Sequence, residues 1–197
     1  VKEIKPYKNK VFLLNIMNLL KALYFLLANT FTLAFNPTTV SELDVEKYTG
    51  RWYQVLGAPT NEIFQGYGTC LTADYGILSN GSVSVLNSQL DKNGNLEEIA
   101  GYAYYKNSSD PGKLSVYLQG TPFDGPYWVV KLGEVKNDQY QYSIITVPSQ
   151  ISLWVIARNV QEFYNEYAQS VTSYLDAQKY RYETIVQDAD CKYAQQS

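Results

Sequence analysis

The sequence contains no histidine. That excludes Ser-His-Asp and Cys-His nucleophile systems, histidine proton shuttles and every histidine-containing metal site. Cysteine is nearly as scarce: Cys70 and Cys191 are too few and too far apart in sequence to read as a metal site. In an oxidising compartment an even count reads as one disulfide, which would leave no thiol for catalysis. Basic clusters are also missing. No run of Lys and Arg is longer than a pair and the net charge is −3, whereas a surface that tracks phosphates needs a dense basic stripe. Nucleic acid is therefore not expected as a partner, and neither a metal nor a cofactor is implied.

What is present is a globular composition, 46% hydrophobic and 18% charged, without the charge excess of a disordered chain. Aromatic residues reach 15%, and tyrosine alone contributes 19. Tyrosine favours strands and supplies an apolar wall with a polar tip. A length of 197 residues suits one domain with some terminal extra. Residues 11–35 are apolar but interrupted by Asn15, Asn18, Lys21 and Asn29. A spanning helix wants about 20 nearly unbroken apolar residues. The stretch reads instead as a secretory signal, with Lys21 as the positive start, Ala22–Ala28 as the apolar stretch and Thr32-Leu33-Ala34 as a small-residue cleavage site. Met17 is the only methionine, and reading from it gives a compact signal peptide. Translation is expected to start there, with Val1–Ile16 upstream. Residues 1–34 are then leader and 35–197 the mature domain, secreted to an extracellular or periplasmic space.

From Gly50 the chain falls into short alternating segments separated by turn chemistry, the pattern of a sandwich or barrel. The expected strands are Arg51–Leu56, Thr69–Ile77, Ser82–Gln89, Leu96–Tyr105, Lys113–Leu118, Tyr127–Leu132, Gln139–Val147 and Ile151–Arg158. A longer loop, Gly57–Gly68, follows the first. Short connections make this an all-β, eight-stranded antiparallel up-and-down barrel, whose interior is wide enough for one small ligand. After Arg158 the period changes: Phe163, Tyr167, Val171, Tyr174 and Leu175 recur mostly three and four apart, predicting one amphipathic helix over Val160–Ala177 packed outside the barrel. Tyr182–Val186 reads as one more short strand.

Alternation along strands assigns faces. The sets taken as inward are Leu71, Ala73 and Tyr75; Val83, Val85 and Asn87; Ile99, Gly101, Ala103 and Tyr105; Leu114, Val116 and Leu118; and Trp154 with Ile156 and Arg158. The resulting lumen is greasy, with Asn87, Tyr75 and Tyr105 as polar contacts, and the small Gly101 and Ala103 argue for space rather than a filled core. Asp74 shares parity with Cys70, which places it outward in a solvated role.

The segment Asp44-Val45-Glu46-Lys47-Tyr48-Thr49-Gly50-Arg51-Trp52-Tyr53 resembles the opening motif of the lipocalins, a Gly-x-Trp entering the first strand. Ser152-Leu153-Trp154-Val155-Ile156-Ala157-Arg158-Asn159 resembles the C-terminal signature of that family, whose Arg packs over the first Trp. Gly68–Tyr75, Asn80–Asn87 and Pro126–Val130 are similar to the apolipoprotein D and bacterial lipocalin group, and the resemblance covers about Asp44 to Cys191. It implies that Gly50, Trp52 and Arg158 close the barrel base, with the cation over the indole face contributing about 1–2 kcal/mol where desolvated. It also implies a Cys70–Cys191 disulfide tying the second strand to the tail.

The resemblance further implies a secreted carrier or scavenger of a small hydrophobic ligand, such as a fatty acid, lysolipid or retinoid, acting as a monomer or weak dimer and not as an enzyme. Two alternatives stay open: a lipocalin-fold enzyme of the isomerase type (which needs a reactive lumen Cys) or de-epoxidase type, and a modulator that binds proteins through the mouth loops. Ile63 and Phe64 in the first long loop read as a lid or a tip that touches a membrane surface, or as residues tucked over the rim. Asn80-Gly81-Ser82 and Asn107-Ser108-Ser109 are glycosylation acceptor patterns, Asn107 lying in the more polar loop.

Overall fold

The structure, a computed structural model, describes residues 36–187, Cys191 and Tyr193. The expected leader and its Met17 start lie outside the described residues, as does the side chain of Phe64.

Eight strands close into an antiparallel barrel. They are β1 (Gly50–Gly57), β2 (Thr69–Ile77), β3 (Val83–Leu90), β4 (Leu96–Tyr105), β5 (Lys113–Leu118), β6 (Gly125–Leu132), β9 (Tyr142–Thr146) and β10 (Leu153–Ala157), each paired with the next. Pairing of β10 with β1, through Tyr53 opposite Ala157 and Gly57 opposite Trp154, completes the ring. Between β6 and β9 lies a two-stranded ribbon, β7 (Val135–Lys136) and β8 (Gln139–Tyr140). The expected seventh strand, Gln139–Val147, is therefore broken. Asn137 and Asp138 both take left-handed backbone (φ 50° and 60°), which is the two-residue hairpin turn that twists with its strands. The Gln141 amide then donates to the carbonyls of Lys136 and Gln139, holding the ribbon off the barrel until Tyr142. The loop after β1 is also more ordered in kind than expected: Pro59–Asn61 forms a 3-10 turn and Glu62–Gln65 a helical turn.

Beyond β10 the helix forms as the spacing predicts, with one irregularity. Asn159 caps it by accepting from the Glu162 N–H, and the run Val160–Glu162 passes through a π turn, Phe163–Tyr167, into Ala168–Ala177. Phe163, Val171 and Leu175 press onto the outer faces of β9 and β10, against Ile144, Leu153, Val155 and Ala157. A short β11 (Glu183–Thr184) then pairs with the mouth end of β1. Cys191 bonds to Cys70 across 121 residues. Cys70 sits at φ 57° within a bulge of β2, a left-handed conformation that turns its side chain away from the lumen-facing Leu71 and toward the tail.

At the closed end Gly50 has φ +88°, and a Cβ there would sit 3.4 Å from the Arg158 guanidinium. Glycine thus serves both the backbone and the approach of Arg158. Asp44 caps the short helix Val45–Tyr48 that leads into it.

Candidate functional site

Inside the barrel lies a cavity of about 610 Å³. That is within the roughly 300–1,000 Å³ usual for small-molecule sites. Its walls are largely aliphatic because the inward positions of β2, β3, β4, β5, β9 and β10 carry Val, Leu, Ile or Ala, whereas β1 contributes Gln54 and β6 contributes Gly125, Pro126 and Tyr127. Of the residues expected in the lumen, Leu71, Ala73, Tyr75, Val83, Val85, Asn87, Ile99, Ala103, Leu114, Val116, Leu118 and Trp154 all line it.

Tyr105 does not. It is half-buried below the floor, packed on the cluster around Trp52, because β4 runs on past the level at which the lumen closes. Gly101 also has a different reason from the one expected. A Cβ there would lie 1.9 Å from the Tyr117 carbonyl oxygen, so glycine permits close approach of β5 rather than opening lumen space. Asp74 points outward as its parity predicts but is not simply solvated: its carboxylate accepts from Arg51 at 2.5 Å, with the two side chains only 16% and 7% exposed.

The floor is polar and was only partly foreseen. Tyr48, Tyr75 and Tyr127 bring their hydroxyls together: Tyr75 to Tyr127 at 3.2 Å, Tyr127 to Tyr48 at 2.9 Å, and Tyr48 donating to Ser143 Oγ at 2.7 Å. Tyr48 and Tyr75 stack at 5.7 Å between ring centroids. Burial pushes the Tyr75 phenol up to about 12 and raises those of Tyr48 and Tyr127 as well, so all three stay neutral at ordinary pH. Alternation with Val129 could have identified Tyr127. Tyr48 lies on the entry helix, where strand parity says nothing.

Beneath the floor, Trp52 is fully buried and donates its indole N–H to the Tyr48 carbonyl at 2.9 Å. The Arg158 guanidinium lies 3.6 Å from the centre of that indole. It donates to the carbonyls of Lys47, Arg51 and Tyr140. Burial lowers its pKa to about 10, far enough above neutrality for the charge to persist. The base expected from Gly50, Trp52 and Arg158 is thus assembled as one unit.

The opposite end is the mouth, formed by the turns at Pro59–Gln65, the β3–β4 hairpin and the loops after β5 and β9. Its lining is polar: Gln65, Gln89, Glu97, Glu98, Gln119 and Thr121. Trp154 belongs to this upper half and donates its indole N–H to the Gln65 side chain at 3.0 Å. Ile63 is 59% exposed and does not tuck over the rim. Asn80 and Asn107 are both exposed, each accepting from a backbone N–H two residues on. Among the described residues no acidic or cysteine cluster is arranged to hold a metal, and no helix is long and apolar enough to cross a membrane.

Known proteins share this architecture. The family profile described as a lipocalin-like domain matches residues 43–190. Apolipoprotein D of Oryctolagus cuniculus is 34% identical over 127 residues, which is 62% of this chain and 65% of that one. The outer membrane lipoprotein Blc of Vibrio cholerae is 33% identical over 120 residues, covering 60% of this chain and 67% of that one. The chain thus spans about 65% of the length of the apolipoprotein D chains it matches. The crystal structure of the cockroach allergen Per a 4 superposes with a TM-score of 0.60 over 79% of this chain and 96% of that one, at 18% identity, a likeness of fold alone.

Proposed function

Because the chain belongs to the lipocalin family, we propose that it is a secreted carrier or scavenger that takes one small hydrophobic molecule into the barrel. The observation that carries this is the cavity itself: about 610 Å³ of space between a built floor and a polar mouth, walled by aliphatic side chains. Apolar burial at about 25 cal/mol per Å² supplies the driving force. The residues that line the cavity, from Leu71 on β2 to Trp154 on β10, are the proposed contacts. A carrier is favoured over an isomerase because the two cysteines of the sequence are bonded to each other, which leaves no thiol to act as nucleophile.

Secretion is supported by the same disulfide, a bond that persists in oxidising compartments, together with the signal-like segment before residue 35. Asn107, in an exposed loop, is the proposed glycosylation site. At the mouth end, Ile63, Tyr67 and Phe123 are more than half exposed. They favour pick-up of ligand at a membrane or lipid-particle surface through that end.

The test is a titration of the secreted protein with palmitate, retinol and a lysophospholipid, followed by tryptophan emission. Trp154 in the lumen should be quenched, saturating near one ligand per chain, and the signal should shrink in a Trp154→Phe protein. Absence of saturable quenching with all three lipid classes overturns the carrier reading.

A further inference from the structure

The cavity has an electrical direction. Among the described residues no Lys or Arg lines it, while Glu97 and Glu98 line its mouth. Glu97 accepts from the Gln89 amide and Glu98 from the Ser88 hydroxyl, with Glu98 also within the field of Arg51. At the other end the Arg158 cation lies behind the tyrosine floor, under the Trp52 ring. Its hydrogen bonds go to backbone carbonyls, and it forms no ion pair among the described residues. Burial is the larger influence on the Tyr48 and Tyr75 hydroxyls and keeps them neutral; the Arg158 charge offsets part of it, and Asp74 opposes Arg158 at Tyr75. The lumen therefore runs from an acidic rim to a neutral floor of tyrosine hydroxyls with the Arg158 cation behind it.

The hydroxyl chain at the floor has one adjustable end. Tyr48 donates its proton to Ser143, so Tyr127 donates to Tyr48, and Tyr75 is left to donate to Tyr127. That last bond is the longest of the three, at 3.2 Å. The Tyr75 proton can turn into the lumen without disturbing the other two. A ligand oxygen placed there would accept a charge-assisted hydrogen bond, the stronger kind in a water-poor site.

Resting on the carrier reading above, we propose that the ligand is a long-chain carboxylic acid bound head first, its carboxylate received by the Tyr75 hydroxyl above Arg158 and its tail running toward the mouth. A carboxylate at the rim would meet Glu97 and Glu98 instead.

Head-group specificity and orientation both test it. Palmitate should bind more tightly than the alkylamine of equal length. Tyr75→Phe, which keeps the ring stacked on Tyr48, should weaken palmitate about tenfold while changing the affinity of a headless hydrocarbon of equal length far less. The hydrocarbon also reports that the variant is folded. For orientation, stearate carrying a nitroxide near its methyl end should quench Trp154 more than stearate carrying one near its carboxyl end. The Trp154 share is the quenching lost in Trp154→Phe at saturation. Stronger quenching by the carboxyl-end label, or equal palmitate affinity of parent and Tyr75→Phe, overturns head-first binding while leaving the carrier reading intact. Only failure of every probe, the hydrocarbon included, to saturate would overturn the carrier reading too.

Discussion

β10 carries apolar side chains on both faces, and the two faces meet different fates. Leu153, Val155 and Ala157 point outward beneath the helix, where Phe163, Val171 and Leu175 cover them until all are fully buried. Trp154 and Ile156 point inward and face open space. Both faces obey the same alternation. The outer one is filled because a helix with apolar residues four apart lies against it. The inner one stays hollow because eight strands hold opposite walls apart. Stability should therefore concentrate in the outer seam and binding in the lumen. Perturbing each separately tests that division.

The seam should give the largest stability loss. Phe163→Ala removes a fully buried ring and should cost about 3–5 kcal/mol in denaturant unfolding. Palmitate affinity of the folded fraction should not move, since Phe163 touches only the outer cluster. If affinity falls along with stability, the seam and the lumen are one cooperative unit and the division fails.

Removing the disulfide with Cys70→Ser and Cys191→Ser comes next, at about 2–4 kcal/mol for a closure of this kind. Here the two regions should not separate cleanly. Cys70 adjoins Leu71, which lines the cavity, and the bulge between Thr69 and Thr72 shapes that wall. A modest loss of ligand affinity is expected alongside the fall in melting temperature, in contrast to Phe163→Ala.

Alkaline pH should act on both regions alike, since burial rather than location sets the shift. Tyr75 at the floor and Tyr180 in the seam are each pushed up to about 12. Their unfolded phenols titrate near 10, so the stabilisation is complete below about pH 10 and is lost as pH rises toward about 12. Melting temperature should fall in that window, and Tyr75→Phe and Tyr180→Phe should each flatten the fall.

Much of the barrel was legible in the sequence because period-two alternation survives wherever one strand face is apolar. The helix was legible for the same reason at a different period. What alternation could not show was anything set by neighbours across the sheet. Gly101 looks like a small lumen residue along its own strand, yet the Tyr117 carbonyl dictates it. Tyr105 has lumen parity but lies beyond the depth at which Trp52 and Tyr48 close the barrel. The seventh strand looked continuous because Gln139 and Tyr140 suit a strand, and they do form one, paired with the ribbon instead of the barrel. Tyr48 joins the floor from a helix only four residues long, through contacts no local pattern encodes.

The smallest stability effect should come from filling the lumen, and there the comparison is sharpest. Ala103 is buried on β4, paired with Val83 and Val116, and borders the cavity. In a packed core Ala→Leu would cost about 1–3 kcal/mol through overpacking. At Ala103 the added side chain has space to enter, so unfolding free energy should stay within about 1 kcal/mol of the parent. The same atoms occupy room that a ligand tail would fill. Displacing two methylenes at about 0.8 kcal/mol each should weaken palmitate roughly tenfold. Denaturant unfolding and tryptophan titration on the same Ala103→Leu preparation measure both quantities. A large loss of stability with unchanged affinity would mean that this part of the lumen is core, and that the ligand sits only in the half nearer the mouth.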